Sequence, residues 1–462
     1  MLGVLPIVDS RKSPKHTIFI TIDGGRYDYL ERFSVPNIDT LIENGVSYRN
    51  AVASTCFAAT NPGIATLSTG VPVADHGICT SQEWYDKKTG ELMYFYDAEK
   101  DILRMDFPTL GDFARKRNPA AKVVAISAKD RHSILMGGKQ ADIIAYSYRE
   151  YVLQRDVKGA YVGAGVSSDH YSWAERVNRS LPPYLREVKQ NRTVDWEGKN
   201  FRHSDMDVAD TALIDKFIMD GALKLLENEK PDFLGIGLVS TNIGAHVYGV
   251  DSVEIEDAVE VIDTQIGKLI EKLEVMGLFE DTLFVIGADH GMASRLNAID
   301  IMTLLEKVGY GDIVDNILYI PEGSVSGIYL DDTSSSVVEK TIDAVKQIDH
   351  IKEAWYKYDP KAPWYVHRFA HERAPDIVII PDFQSAIVAK LRKPPSLVAW
   401  HGPPYPPDLN IWLILSGAGV KKFGRIGEML DYSSEELISD EQISKLPEQI
   451  DVAPTVKAIW GI

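Results

Sequence analysis

Cysteine is nearly absent: the 462 residues include two, Cys56 and Cys79. Two thiols cannot build a disulfide framework or a four-cysteine zinc site, and both read as small buried residues, the usual place for a free cysteine. Long apolar runs are missing too. No stretch approaches the roughly 20 residues that a membrane-crossing helix needs. The opening Met1-Leu2-Gly3-Val4-Leu5-Pro6 is broken by its proline and followed by Asp9, Arg11 and Lys12. It lacks the basic start and apolar core of a secretory leader, so the expectation is a cytoplasmic protein with no membrane partner, a trimmed leader being the alternative. A surplus of positive charge is the third absence. With 49 Lys and Arg against 67 Asp and Glu, the formal charge is -18. That argues against a nucleic-acid polymer as partner, because such polymers are gripped by clustered Lys and Arg. A small anionic substrate stays open if bound cations reverse the local field.

What is present reads as strands alternating with helices. Several short apolar runs lack the in–out alternation of half-exposed strands and read as buried parallel strands. They are Thr17 to Ile22, Lys122 to Ile126, Phe233 to Val239, Thr282 to Ile286, Asp376 to Ile380 and Ile411 to Leu415. The clearest helical pattern runs from about Val253 to Met276, with Val259, Ile262, Ile266, Leu269 and Leu273 at three- and four-residue spacing. Gly277 stands where a helix-ending glycine belongs. This alternation predicts an α/β fold with a central, mainly parallel sheet flanked by helices. Residues from about 140 to 205, rich in Tyr, Arg, Asn and Pro, fit it poorly. So do residues 296–395, which mix short elements with proline clusters. Both read as cap insertions, leaving 1–139, 206–295 and 396–462 as the core.

Sites in open α/β sheets form where strands end at their carboxyl edge. Thr17 to Ile22 ends in Asp23-Gly24-Gly25. Phe233 to Val239 runs into Ser240-Thr241-Asn242, with His246 four residues on. Thr282 to Ile286 leads through Gly287-Ala288 into Asp289-His290-Gly291. One aspartate at a strand end is commonplace as a helix cap or turn residue. Imidazole nitrogen beside carboxylate oxygen is a ligand set typical of zinc and related divalent ions. The stretch from Ser54 to Gly70 is dense in hydroxyls and small residues. Pro62 suits a first helical turn, which puts Thr60 near a helix N-terminus, where free amides favour an anion. A threonine alkoxide needs such help, or a metal, to act as a nucleophile near neutral pH.

Taken in order, these segments resemble the alkaline phosphatase superfamily, in the branch that includes type I phosphodiesterases and nucleotide pyrophosphatases. Thr21-Ile22-Asp23-Gly24 is similar to the family's first-strand aspartate, and Thr60-Asn61-Pro62-Gly63 to its nucleophile segment. Asp75-His76-Gly77-Ile78 and Trp84-Tyr85-Asp86 follow in the family's order, and Asp451-Val452-Ala453-Pro454-Thr455 resembles its closing helix. The resemblance covers about residue 16 to the end. It implies two divalent metal ions, zinc in character. Asp23, Asp289 and His290 would hold one, with the Thr60 oxygen bridging. His246, His401 and Asn242 would hold the other, His401 opening a His401-Gly402-Pro403-Pro404-Tyr405 element followed by Asp408. Asn242 departs from the family, which has an aspartate there. A carboxamide is neutral and a poorer donor than a carboxylate, so the second site should be weaker or prefer another ion.

Ser127-Ala128-Lys129-Asp130-Arg131 resembles the Ser-x-Lys-x-Arg element of single-chain bacterial alkaline phosphatases, whose Lys and Arg grip the non-bridging phosphate oxygens. That match extends through Ile134, Gly137, Gly138 and Ala141-Asp142 to Ser167–Trp173. A monoester dianion carries more charge than a diester, so two added cations favour monoesters. A second departure lies after His76-Gly77-Ile78. The family places a phosphate-contacting Asn there, whereas Cys79-Thr80-Ser81-Gln82-Glu83 offers Gln82 or Ser81. The resemblance thus implies a metal-dependent phosphoric ester hydrolase, acting on a small phosphorylated substrate through a phosphothreonine at Thr60. Lys129 and Arg131 would stabilise the transferred group. Phosphomonoesterase activity is favoured over phosphodiesterase/nucleotide pyrophosphatase or phosphonate hydrolase activity, and a non-catalytic binding relative is the reading from another class.

Overall fold

The strand His16–Ile22 has six of its seven residues buried, which only a strand covered on both faces can achieve. In the computed structural model it lies inside a nine-stranded sheet. The structure describes residues 3–81, 83–97, 100–148, 151–155, 161–166, 172–173, 182, 184–185, 195–196, 199–200, 206–307, 311–321, 325–388 and 398–462. In chain order the sheet's strands are β1 (His16–Ile22), β2 (Gly45–Tyr48), β3 (Val123–Ser127), β4 (Ile143–Tyr148), β5 (Ser172–Trp173), β6 (Phe233–Leu238), β7 (Thr282–Ala288), β8 (Leu413–Gly417) and β9 (Gly424–Ile426). Their spatial order is β5-β4-β3-β6-β1-β7-β8-β2-β9. The run β4-β3-β6-β1-β7 is parallel throughout, so those five strands deliver their carboxyl ends to one edge.

Among the helices are α1 (Thr60–Thr69), α2 (Asp130–Gly137), α3 (Met206–Glu229), α4 (Ser240–Tyr248), α5 (Val253–Val275) and α6 (Val452–Trp460). The periodic residues of α5, Val259, Ile262, Ile266, Leu269 and Leu273, are all buried. Gly277 follows at φ 67°, the left-handed geometry expected after a helix end.

Two strand expectations and one cap boundary differ from the structure. Ile411 to Leu415 overlaps β8 at Leu413 to Leu415, and β8 runs antiparallel to both β7 and β2. Asp376 to Ile380 falls on Ile377–Pro381, outside the main sheet. It belongs to an antiparallel sheet of four, ordered Ile317–Tyr319, Ser326–Leu330, Ile377–Pro381, Ile351–Tyr356. Its alternate residues explain the unbroken apolar run. Ile377 and Ile379 join a separate small core with Ile328, Leu330 and Val345, while Val378 and Ile380 face the main core. Both faces are buried, so alternation is erased whatever the strand direction. Finally, Ile143–Tyr148 and Ser172–Trp173 extend the central sheet, although both fall within the segment expected to be a first cap. Most of 149–205 lies outside the described residues. Among the described residues no helix is long and apolar enough to cross a membrane.

Candidate active site and metal centre

Neighbouring parallel strands place the candidate residues. Asp23 directly follows β1 and Asp289 directly follows β7; Lys129 comes two residues after β3, and Asn242 lies in the first turn of α4, after β6. The Asp23 amide donates to the Leu238 carbonyl (2.9 Å), and the Thr241 hydroxyl donates to the Asp23 carbonyl (2.6 Å). These bonds lock the β1 and β6 ends together.

Asp23, Asp289 and His290 have no exposed surface. Asp289 Oδ1 accepts from the amides of Gly24 and His290, both at 2.9 Å. Asp23 Oδ2 accepts from Lys129 Nζ at 2.5 Å and from His132 Nε2 at 3.0 Å. His290 Nδ1 donates to the Gly291 carbonyl at 2.7 Å. Each side chain therefore has one atom held and one left over, and the leftovers, Asp23 Oδ1, Asp289 Oδ2 and His290 Nε2, have no hydrogen-bond partner. His290 Nε2 lies 3.5 Å from Asp23 Oδ1 and 3.4 Å from Asp289 Oδ2. Zinc bonds of about 2.0–2.1 Å at tetrahedral angles separate two ligands by about 3.3–3.4 Å. Three buried orphan atoms at that spacing cost several kcal/mol empty, and a divalent cation satisfies all of them. Among the described residues this trio is the group of His, Cys, Asp and Glu side chains whose ligand atoms converge within 4.8 Å.

His246 and His401 share that preparation. Their Nδ1 atoms donate to the carbonyls of Ala399 and Ala58, each at 2.8 Å. This fixes the tautomer that turns the Nε2 lone pair outward, as metal-binding histidines require. The His401 ring stacks on His290 with centroids 3.5 Å apart and lies 5.4 Å from His246. Asn242 completes this side differently from a carboxylate. Its Oδ1 accepts from Lys129 Nζ (3.1 Å), and its Nδ2 faces His246 Nε2 (3.3 Å). The amide therefore offers an N–H to the very nitrogen that would bind a cation.

Electrostatics agree with the geometry. Burial alone would raise Asp23, but the Lys129 charge and the hydrogen bond and charge of His132 override it and hold the carboxyl well below the usual range. Burial, then the Asp23 charge, pushes Asp289 well above it. Burial pushes His290 down to about 3 and His246 down to about 4. His401 falls well below its ordinary value through burial and then the two neighbouring imidazoles. All three rings are thus neutral near pH 7, the form that ligates metals.

Thr60 is the first residue of α1 and is buried. Contacts on both sides bracket its position. Two residues before it, the Ala58 carbonyl meets His401; three residues after it, a Cβ on Gly63 would lie 2.1 Å from the Asp289 carbonyl. The first turn of α1 therefore rests on the end of β7, the strand end that carries Asp289 and His290. Arg131 Nε is buried without a hydrogen-bond partner, as is the Ser81 hydroxyl, whereas Gln82 lies outside the described residues. Cys56 and Cys79 are free and buried; burial raises both thiols, Cys79 to about 12, so neither is a nucleophile here.

Two contributors have no local signature in the sequence. Asp215, on α3, accepts from the Val239 and Ser240 amides (2.7 and 3.1 Å) and from the Ser240 hydroxyl. It caps the helix carrying Asn242 and His246 from 24 residues upstream, too far for a local capping signal. His132 adjoins the Lys129–Arg131 stretch, and a histidine beside two cationic side chains carries no local sign of a distant carboxylate partner.

The model of one family, type I phosphodiesterase / nucleotide pyrophosphatase, matches residues 17–404. The chain belongs to that family. As a member of it, the chain is similar to the alkaline phosphatase PhoD of Zymomonas mobilis, 26% identical over 365 residues, which cover 71% of this chain and 58% of PhoD. The alkaline phosphatase PhoK of Sphingomonas sp is 25% identical over 315 residues, 60% of this chain and 55% of PhoK. The chain thus spans less than two thirds of the length of these curated relatives. Among solved structures, the alkaline phosphatase PafA superposes with a TM-score of 0.74 at 17% identity, covering 98% of this chain and 97% of PafA. At that identity the likeness speaks for the fold, the large, mainly parallel sheet flanked by helices.

Proposed function

We propose that this chain is a divalent-metal-dependent phosphoric ester hydrolase that works through a phosphothreonine at Thr60, with phosphomonoesters as the favoured class. One observation carries the reading. The buried atoms Asp23 Oδ1, Asp289 Oδ2 and His290 Nε2 lack partners, sit at ligand spacing, and lie under the first turn of the helix that begins with Thr60. The family and its alkaline phosphatase relatives support the same chemistry.

Asp23, Asp289 and His290 would hold one ion; His246, His401 and, weakly, Asn242 would hold a second, zinc suiting both donor sets. When bound, such ions supply positive charge and Lewis acidity at the reacting oxygens. Thr60 Oγ1 bonds to phosphorus in line as the ester's alcohol leaves, and water then cleaves the phosphothreonine and restores the hydroxyl. The positive end of α1 favours negative charge at Thr60 throughout. Lys129 has three N–H groups; Asp23 and Asn242 take two, leaving one for a non-bridging oxygen. Arg131, with its unpaired Nε, has spare donors for another.

The test compares nitrophenyl phosphate, bis-nitrophenyl phosphate and a nucleotide nitrophenyl diester, each with and without a chelator. The expected result is chelator-sensitive hydrolysis, fastest on the monoester. Lys129→Ala should remove monoester turnover while sparing the diesters, because the monoester has the extra charge to be met. Equal losses on all three substrates would defeat the monoester preference, and turnover indifferent to chelator would defeat the metal-dependent reading altogether.

A further inference from the structure

The Asp23 carboxylate is held by two donors, Lys129 and His132, and the resemblance to phosphatases gives a role only to the first. His132 is fully buried on α2. Its Nε2 lies 3.0 Å from Asp23 Oδ2 and its Nδ1 lies 2.7 Å from the Thr21 hydroxyl. A carboxylate oxygen only accepts, so Nε2 carries the proton and donates it, while the Thr21 hydroxyl occupies the other end of the ring. The surroundings are shaped for this imidazole. Thr21 on β1 pairs in register with Gly237 on β6, and a Cβ on Gly237 would lie 2.6 Å from the His132 Cβ and 2.5 Å from Ser127 Oγ. The base of the His132 side chain therefore rests where the neighbouring strand has no side chain. With Lys129 and His132 both on Oδ2, that oxygen's lone pairs are used, and Oδ1 alone is left facing Asp289 and His290.

We infer that His132 is a positioning residue for the metal centre: its Nε2–H pins Asp23 so that the carboxylate presents Oδ1 to the cation as a single, fixed ligand. This rests on the metal-dependent reading above. Partners of this kind hold ligands in register, and their loss typically weakens metal binding about 10–100-fold. Lys129 cannot replace the contact, because a flexible ammonium supplies charge without fixing the plane of the carboxylate.

The test is zinc affinity, measured by competition against a chromophoric chelator for the full-length wild-type chain and its variants, beside the unfolding midpoint of each metal-free protein. His132→Ala should weaken the tightest zinc about 10–100-fold. His132→Gln, whose amide Nε2 reaches a similar point, should recover affinity to within about threefold of wild type, on the same scale. An unchanged affinity in His132→Ala overturns the inference, as does a His132→Gln variant no tighter than His132→Ala, since that pattern means lost packing. If His132→Ala does not fold, Thr21→Val frees Nδ1 but keeps the ring. A several-fold weaker zinc then supports the inference and an unchanged one overturns it. A wild-type chain that holds no zinc at all defeats the metal-dependent reading itself, a result distinct from a wild type that holds zinc and a His132→Ala variant that holds it as well.

Discussion

A threonine hydroxyl is a weak nucleophile near neutral pH, so replacing Thr60 separates chemistry from metal binding. Thr60→Ala should lower turnover of nitrophenyl phosphate by at least about a thousandfold, while the Asp23, Asp289 and His290 trio still binds zinc. Activity that survives Thr60→Ala would remove the threonine from the nucleophile's role. Asn242 sets up the converse experiment. Its Nδ2 faces His246 Nε2, so a cation at that nitrogen must first displace an N–H, and the amide adds no charge in return. Asn242→Asp replaces that donor with an acceptor and adds one negative charge beside Lys129. We expect the second zinc to tighten by on the order of tenfold, read as the weaker of two phases in a competition titration. A weaker phase that does not move would mean that Asn242 lies off the second ion.

At the scale of elements, the closeness of α1 to β7 decides whether Thr60 reaches the metal trio. Gly63 makes that closeness available, since a Cβ there would meet the Asp289 carbonyl at 2.1 Å. Alanine is favoured over glycine within a helix by about 1 kcal/mol, whereas overpacking against backbone costs about 1–3 kcal/mol, so the clash wins. Gly63→Ala should lower the denaturant midpoint and reduce kcat together; a variant with both unchanged would show that α1 does not rest on the strand end. This contact also marks where sequence reading stops. The strand ends bearing Asp23 and Asp289 were legible because apolar runs stop abruptly at Asp-Gly and Asp-His-Gly, and α5 was legible from its spacing. The antiparallel course of β8 was not, because a strand buried on both faces carries no trace of its partner's direction. Asp215 and His132 were hidden for a related reason. Each acts across the fold on a backbone or carboxylate far away in sequence, and nothing local distinguishes a buried aspartate or histidine that does so.

At the scale of the whole molecule, the chain carries a net -18 and still buries two neighbouring carboxylates, Asp23 and Asp289, at one sheet edge. Without a cation they cannot both ionise cheaply. Lys129 and His132 keep Asp23 ionised, and the proton falls to Asp289, whose carboxyl burial and the Asp23 charge push well above the usual range. A divalent ion binding there must expel that proton. By linkage, affinity then rises with pH while Asp289 is still protonated in the metal-free protein, and levels off once it has ionised. The histidines add nothing to this slope near neutrality, because burial has already made them neutral. Calorimetric zinc titrations at one pH, in two buffers of different ionisation enthalpy, should report a net release of protons in the acid half of the range. The same binding should raise the unfolding free energy by about 4 kcal/mol at a thousandfold excess over Kd. Zero proton release, with an affinity that stays flat across the acid range, would show that Asp289 is already ionised in the metal-free protein and that the carboxylate pair does not share its charge as the geometry requires.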